Sequence, residues 1–423
     1  MGKNQAHWSA DGSIMPKLEI HTKKKHEIYS HYLHDWILTT CGNHRGNSST
    51  VTIVDGFCGG SFYRQPDSSD IWYGSPVRIL KAIKEGLNSV AERKGKTGYQ
   101  LDYKVILMDN QQEHLDSTRN ALEANGFGNE VRDGRCEFMK GDFTSLLPQC
   151  LDAVRKRKGY SVFLIDPFGY TDFSMADLRS IMQLGRTEIF LTFMIEFVQR
   201  FMSLREAKLR DAFERVLEAN GFFTEYAVGR SDSEGQQIYL KHESQRLIRE
   251  RVGPNYLYVF SLMAERNKTK YYLFHLANSP RATQVVKDTL WAHNNINLQY
   301  GFAGGQFGLG HITPDYLEEL EQQKLFVIED INAEAAKDAL FPTLIDQIDR
   351  NRNGITFQQV EINTMQENPA RSSMYQDVIR SIRDEGDVAI YRDGKSTRAM
   401  HLRSGDVIRR IPKQLFLFGP KPP

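Results

Sequence analysis

The chain has 423 residues, 40% of them hydrophobic and 25% charged, which suits a globular protein with room for two or three domains. Fifty-four Lys and Arg face 53 Asp and Glu, so no global field draws it to nucleic acid or membrane, and any such contact must rest on a local patch. The N-terminus lacks a signal-peptide core, no window approaches the roughly 18 apolar residues of a membrane span, and Cys41, Cys58, Cys136 and Cys150 form no CxxC pair, so a cytoplasmic chain with reduced thiols, no membrane contact and no metal is expected.

In chain order, KKKHEIYSHYLHDWIL (23–38) spaces Ile28, Tyr32, Trp36 and Ile37 as an amphipathic helix with a basic start. His31 and His34 could share a face of it and read as solvated surface histidines. From residue 51, short β-branched runs alternate with helical stretches. The strands are VTIVD (51–55), YKVILMD (103–109), CEFMKGD (136–142), SVFLID (161–166) and EIFLTFM (188–194), with helices near 76–93, 111–125, 144–157 and 174–184. This alternation argues a parallel sheet with crossover helices. Ser75 and Pro76 read as the cap and first-turn proline of one such helix.

Residues 202–252 are a charged, helix-rich insertion whose position after the fifth strand suits a substrate lid. YLYVFSLMA (256–264) and KYYLFHLA (270–277) then flank a polar turn, as a β-hairpin closing the sheet edge. GFAGGQFGLG (301–310) reads as a linker or mobile loop. FPTLIDQIDR, TFQQVEINTMQE and SSMYQDVIRSIRDEG follow as three helical patterns, and DVAIYRDGKSTRAMHLRSG as extended segments with a turn at Arg392 to Lys395. Three helices plus a hairpin suggest a winged helix-turn-helix. The expected domains are therefore 1–310 and 311–423. From Pro369 to Pro423 eleven Lys/Arg stand against six Asp/Glu. Lys395 and Arg398 in the wing suit DNA or RNA phosphates, and a protein-docking face accounts for the same pattern equally well.

Ligands in open α/β sheets collect at the carboxyl ends of strands, so Asp55, Asp109, Asp142 and Asp166 could line one crevice. VDGFCGGSFY places Gly56, Gly59 and Gly60 in a turn after the first strand, where a backbone without side chains can approach a cofactor. Asp109 ends the next strand and can accept both ribose hydroxyls of a nucleoside. The turn-to-strand spacing is about twice the ~20 residues usual for dinucleotides, which favours S-adenosylmethionine over NAD. Asp142 would then sit near the adenine amino group, or cap the following helix. FLIDPFGY (163–170) ends a buried strand on Asp166 and Pro167, with Phe168 and Tyr170 beyond. It resembles the (D/N)PP(Y/F) signature of amino-methyltransferases. There the carboxylate and the proline carbonyl accept from an exocyclic amine, and a ring stacks on the extruded base. A turn Asp and a core Phe are the plain alternative. Lys25 and His26 could fold over the cofactor or face solvent. Glu196 and Arg200 could border the substrate pocket.

The order KKKHEIYSHYLHDW, VDGFCGGSFY, YGSPVRIL, FLIDPFGY and YYLFHLANSP, across most of residues 20–300, resembles the three-Cys-motif partner (TcmP) family. The resemblance implies a Rossmann-like class I methyltransferase sheet with helices on both faces, a C-terminal winged helix and a partner protein bearing three cysteines, often in mobile or defence-associated gene settings. Asp55, Gly56, Phe57 and Gly59 match the family's D-x-F-A-G-x-G turn, with Cys58 and Ser61 as departures. Three functions stay open: a methyltransferase acting on an amino group of DNA or RNA, one acting on a protein or small molecule, and a scaffold that keeps the fold without the chemistry.

Overall fold

The computed structural model describes residues 7–42, 46–66, 68–95, 98–169, 172–195, 198, 211, 214–223, 233–265, 268–296, 299–300, 307–312 and 328–412. Tyr170, Glu196 and Arg200 lie outside them. The chain divides into two units, 1–296 with 309–324 and 297–308 with 325–423. The division does not fall at residue 310, because part of the glycine-rich stretch is a strand.

The first unit is built on near-continuous apolar runs, which mark strands buried on both faces. β1 (Ser48–Asp55), β4 (Gln100–Asp109), β5 (Cys136–Lys140), β6 (Tyr160–Ile165) and β7 (Thr187–Met194) run parallel. β4 and β5 lie on one side of β1, and β6 and β7 on the other. The point where the order reverses, at the carboxyl ends of β1 and β6, is the topological switch point at which such sheets bind ligands. β8 (Tyr256–Glu265) and β9 (Lys268–Ala277) form the expected hairpin, with β9 inserted antiparallel between β7 and β8. The hairpin does not close the edge: β10 (Phe307–Ile312) pairs parallel with β8 through Leu309 and Phe260. A small antiparallel pair, β2 (Phe62–Arg64) and β3 (Ile71–Tyr73), stands outside the sheet.

Helices cover both faces, as expected of a class I methyltransferase sheet. α1 (Ile20–Gly42), α2 (Ser75–Lys94), α3 (Gln112–Ala124) and α4 (Gly128–Arg132) precede α5 (Phe143–Arg157) and α6 (Met175–Met182). α7 (Ser233–Val252) and α8 (Pro280–Ala292) complete the unit. Strand side chains alternate between faces: Phe190 meets the rings of Tyr29 and Tyr32 from α1, whereas Ile189 and Leu191 join a core with Phe143, Leu147 and Leu178. Leu217, Phe222, Leu240, Leu247 and Ile248 belong to that second core. The described part of the insertion is thus a structural layer, not a lid. Gly74, not Ser75, occupies the N-cap of α2, with Pro76 in the first turn.

The second unit begins with α9 (Ile328–Arg350), which runs through Pro342 instead of starting beside it. β11 (Ile355–Thr356), α10 (Phe357–Thr364), α11 (Ser372–Asp384), β12 (Val388–Arg392), β13 (Lys395–Ser396) and β14 (Val407–Arg410) follow, the strands in the order β11-β14-β12-β13. Its core holds Leu344, Ile348, Val360, Tyr375, Ile379, Ile390 and Ile408. Among the described residues, no helix is long and apolar enough to cross a membrane, the four cysteines are buried and free, and no cluster suits a metal.

Candidate active site

A cavity of about 480 Å³ opens at the carboxyl ends of the central strands, lined by Gly56, Phe57, Asp109, Asp142, Phe143 and Phe168 among others. It lies within the range of small-molecule sites.

Gly59 takes a left-handed backbone, φ +58°, which a residue with a Cβ adopts only at a cost. That turn aims its amide at Asp109, whose Oδ2 accepts it at 3.1 Å. Asp109 Oδ1 accepts from the Gln111 amide at 2.8 Å and meets His114 Nδ1 at 2.9 Å. Two of the four acceptor positions of this buried carboxylate are filled on Oδ1 and one on Oδ2, leaving one on Oδ2. The other two glycines of the turn make room for aromatics. A Cβ at Gly60 would lie 2.2 Å from Trp8, and one at Gly56 would lie 2.8 Å from Phe143. Trp8 donates its indole N–H to Phe62 O at 2.7 Å and packs edge-on against His114. Ser61 turns away from the cavity, bonding Thr118 Oγ1 at 3.0 Å, and Thr118 donates to Gly59 O. A serine at this position therefore ties the turn to α3.

Asp55 is fully enclosed. Its Oδ1 accepts from the Phe57 amide at 3.3 Å, and Oδ2 has no hydrogen-bond partner. Burial, with the charges of Asp166 and Asp109, pushes its carboxyl up to about 7; the nearby Ser75 hydroxyl opposes the shift without completing a hydrogen bond. Asp142 holds the N-cap position of α5 but makes no capping bond through its side chain. It stays exposed at the cavity.

Asp166 is held by a residue that the sequence left open. Lys25 Nζ of α1 lies 2.5 Å from Asp166 Oδ2 and 5.1 Å from the Tyr271 ring centroid. Lys25 is only 5% exposed, so the solvent-facing alternative is excluded. His26 beside it is buried and accepts from Trp72 Nε1 at 3.1 Å; burial first, then Arg78 and Lys25, hold its imidazole well below the usual range. Pro167 is buried, and Phe168 is half-exposed at the cavity, not packed in the core. His31 and His34 are half-buried, not freely solvated: both bond Asp35, and His31 Nδ1 sits 3.2 Å from His293. Trp8 and His114 were missed as site residues because each acts through tertiary contacts.

In the second unit Lys395 and Arg398 are exposed. Arg380, Arg383, Arg392 and Arg410 are paired with Asp377, Asp384, Asp406 and the Asp349–Asp387 pair.

No family model matches the chain, and no curated protein matches it. Solved structures similar to it include a putative O-methyltransferase from Klebsiella pneumoniae, with TM-score 0.31 and 10% identity over 61% of this chain and 88% of that one. The O-methyltransferase TomG from Streptomyces achromogenes, solved with S-adenosylmethionine, gives 0.30 and 11% over 62% and 92%. An O-methyltransferase from Bacillus cereus in complex with S-adenosylhomocysteine gives 0.29 and 11% over 59% and 80%. The fold assignment above rests on strand order and direction, not on these likenesses.

Proposed function

We propose that the chain is an S-adenosylmethionine-dependent methyltransferase acting on an exocyclic amino group of a nucleic-acid base. One observation carries the reading: Asp55, Asp109 and Asp166 stand at the carboxyl ends of the adjacent strands β1, β4 and β6, with Asp109 lining the cavity. A cationic ligand with a ribose fits that set of acceptors. The partnerless Asp55 Oδ2 would accept from the ammonium group, and the remaining position on Asp109 Oδ2 from a ribose hydroxyl. Phe57 and Phe143, in ring contact with each other at the cavity wall, would offer one apolar side to the adenine, with Asp142 near its amino group.

When bound, the sulfonium supplies an already activated methyl group. The chain's own task is then alignment more than acid–base work. Lys25 occupies Asp166 Oδ2 and leaves Oδ1 to accept from the amine, with the Pro167 carbonyl as second acceptor. Phe168 would stack on the base and offset part of the cost of extruding it.

The second unit we read as the winged helix of the three-Cys-motif partner resemblance. The internal ion pairs noted above occupy four of its arginines and leave the net basic excess on other side chains, Lys395, Arg398, Arg403 and Arg409 among the exposed ones. Its proposed use is as a docking face for the three-cysteine protein, with Lys395 and Arg398 as nucleic-acid contacts. The test is transfer of a labelled methyl group to single-stranded DNA and RNA. Asp166→Ala should abolish transfer and keep S-adenosylhomocysteine binding. A wild-type chain that binds cofactor and methylates a protein but no nucleic acid would overturn the choice of acceptor.

A further inference from the structure

Beside the cavity, the β2–β3 pair carries a set of rings and cations that the cofactor site does not use. Tyr63 and Trp72 stand opposite each other across the pair. Trp72 bonds His26, the neighbour of Lys25, and the Tyr63 phenol is pushed upward by burial and by the charges of Asp166 and Asp55. The hairpin therefore forms the rim of the crevice on the side of Asp166.

The Arg78 guanidinium carbon lies 3.6 Å from the Trp72 ring centroid and Lys23 Nζ 5.1 Å from it. Arg78 is fixed there by donating Nε to Tyr73 O at 2.9 Å. At the outer edge Lys17 bridges to Arg64, both exposed, and Ile71 opposite Arg64 is 43% exposed. Among the described residues none of Lys17, Lys23, Arg64 and Arg78 forms an ion pair within 4.0 Å. The nearby Glu27 is taken by Lys24 at 2.7 Å. Glu19 and Asp70 are the exposed acids on these segments.

Half-exposed rings with stacked cations, next to unpaired surface cations, are the features by which proteins hold single-stranded nucleic acid without reading a duplex groove. We infer that the β2–β3 hairpin, with residue 17 and the start of α1, is a single-stranded nucleic-acid track leading to Asp166. Lys17, Lys23 and Arg64 meet phosphates, and the Arg78–Trp72 stack receives a base flanking the one that enters the crevice. A single strand is specified because a base must leave any stack to reach a carboxylate at a strand end. This inference rests on the acceptor named above and moves the main contact from the second unit to the first.

The test is fluorescence anisotropy of labelled single-stranded DNA and RNA oligonucleotides with the full chain across a salt series, beside calorimetric titration of S-adenosylhomocysteine. The Lys17→Glu/Arg64→Glu double variant should bind oligonucleotide about tenfold or more weakly, and its log–log salt slope should fall by about 1.4, at about 0.7 per lost single-strand phosphate contact. Lys395→Glu/Arg398→Glu, at the secondary contact of the second unit, should weaken binding by a smaller factor than the hairpin variant does. Both should bind S-adenosylhomocysteine as the wild type does, which also shows that they are folded. Unchanged oligonucleotide affinity in the hairpin variant would overturn the track, as would a wild type that binds the cofactor product but no oligonucleotide. A wild type that fails to bind the cofactor product would contradict the methyltransferase reading alone, and the anisotropy comparison would still decide the track.

Discussion

Lys25 Nζ and Asp166 Oδ2 are 2.5 Å apart although 141 residues separate them in the chain. The pair joins the first helix to the tip of the fourth parallel strand. It places a buried cation against the group assigned to hold the methyl acceptor.

Lys25→Met should therefore destabilise the fold by about 1–3 kcal/mol. Breaking a buried pair costs about 3–5 kcal/mol, discounted here because the Asp166 side chain is 31% exposed. Urea denaturation measures it, and Lys25→Met/Asp166→Asn should recover most of the loss. A double variant no better than the single would mean that Lys25 stabilises through packing on Tyr271.

The raised carboxyl of Asp55 sets a pH dependence. Its folded value of about 7 lies above the ordinary carboxyl value of 3.8, so the folded state binds more protons between them. The contribution to stability is full below the unfolded value and is lost as pH rises through about 7. The span corresponds to about 4 kcal/mol at about 1.4 kcal/mol per unit. Asp55→Asn should flatten the fall in stability between pH 4 and 7 in denaturation curves. An unchanged profile would show that other groups dominate.

Gly60→Ala should expel the Trp8 indole, since the added carbon would lie 2.2 Å from it. A loss of about 1–3 kcal/mol is expected, as for other overpacked sites. In a Trp8→Ala background the same substitution should cost much less, a coupling that a double-mutant cycle measures. Additive losses would place the glycine's role elsewhere.

His114→Ala removes a neutral or charged partner from Asp109 Oδ1, a bond worth about 1.5–3 kcal/mol when one partner is ionised. S-adenosylhomocysteine affinity should fall by about tenfold or more, while the urea midpoint moves less than for Trp8→Ala. Equal affinity would show that the Gly59 and Gln111 amides alone orient the carboxylate.

Much of the sheet could be read from the chain because buried parallel strands are continuous apolar runs: β4 and β6 lie within three residues of their expected limits. Phe307–Ile312 was hidden because its glycines read as a loop, yet Gly310 fits against Ser261 O where a Cβ would lie 2.6 Å away. The three strand-end aspartates were legible from position alone. Their partners were not: Lys25 reaches Asp166 from another element, Trp8 reaches the glycine turn from the N-terminal segment, and His114 looks like any polar residue opening a helix. The basic excess of the last segment was visible in the sequence, but which of its arginines are paired, with Asp377, Asp384, Asp387 and Asp406, depends on which residues the fold brings together.

Whether the aspartates at the strand ends hold S-adenosylmethionine is decided by calorimetric titration of S-adenosylhomocysteine into the full chain and into Asp109→Ala. The wild type should show saturable one-site binding, weakened at least about tenfold in the variant, a loss of about 1.4 kcal/mol or more. Binding of equal strength in both, or none in either, would contradict that role.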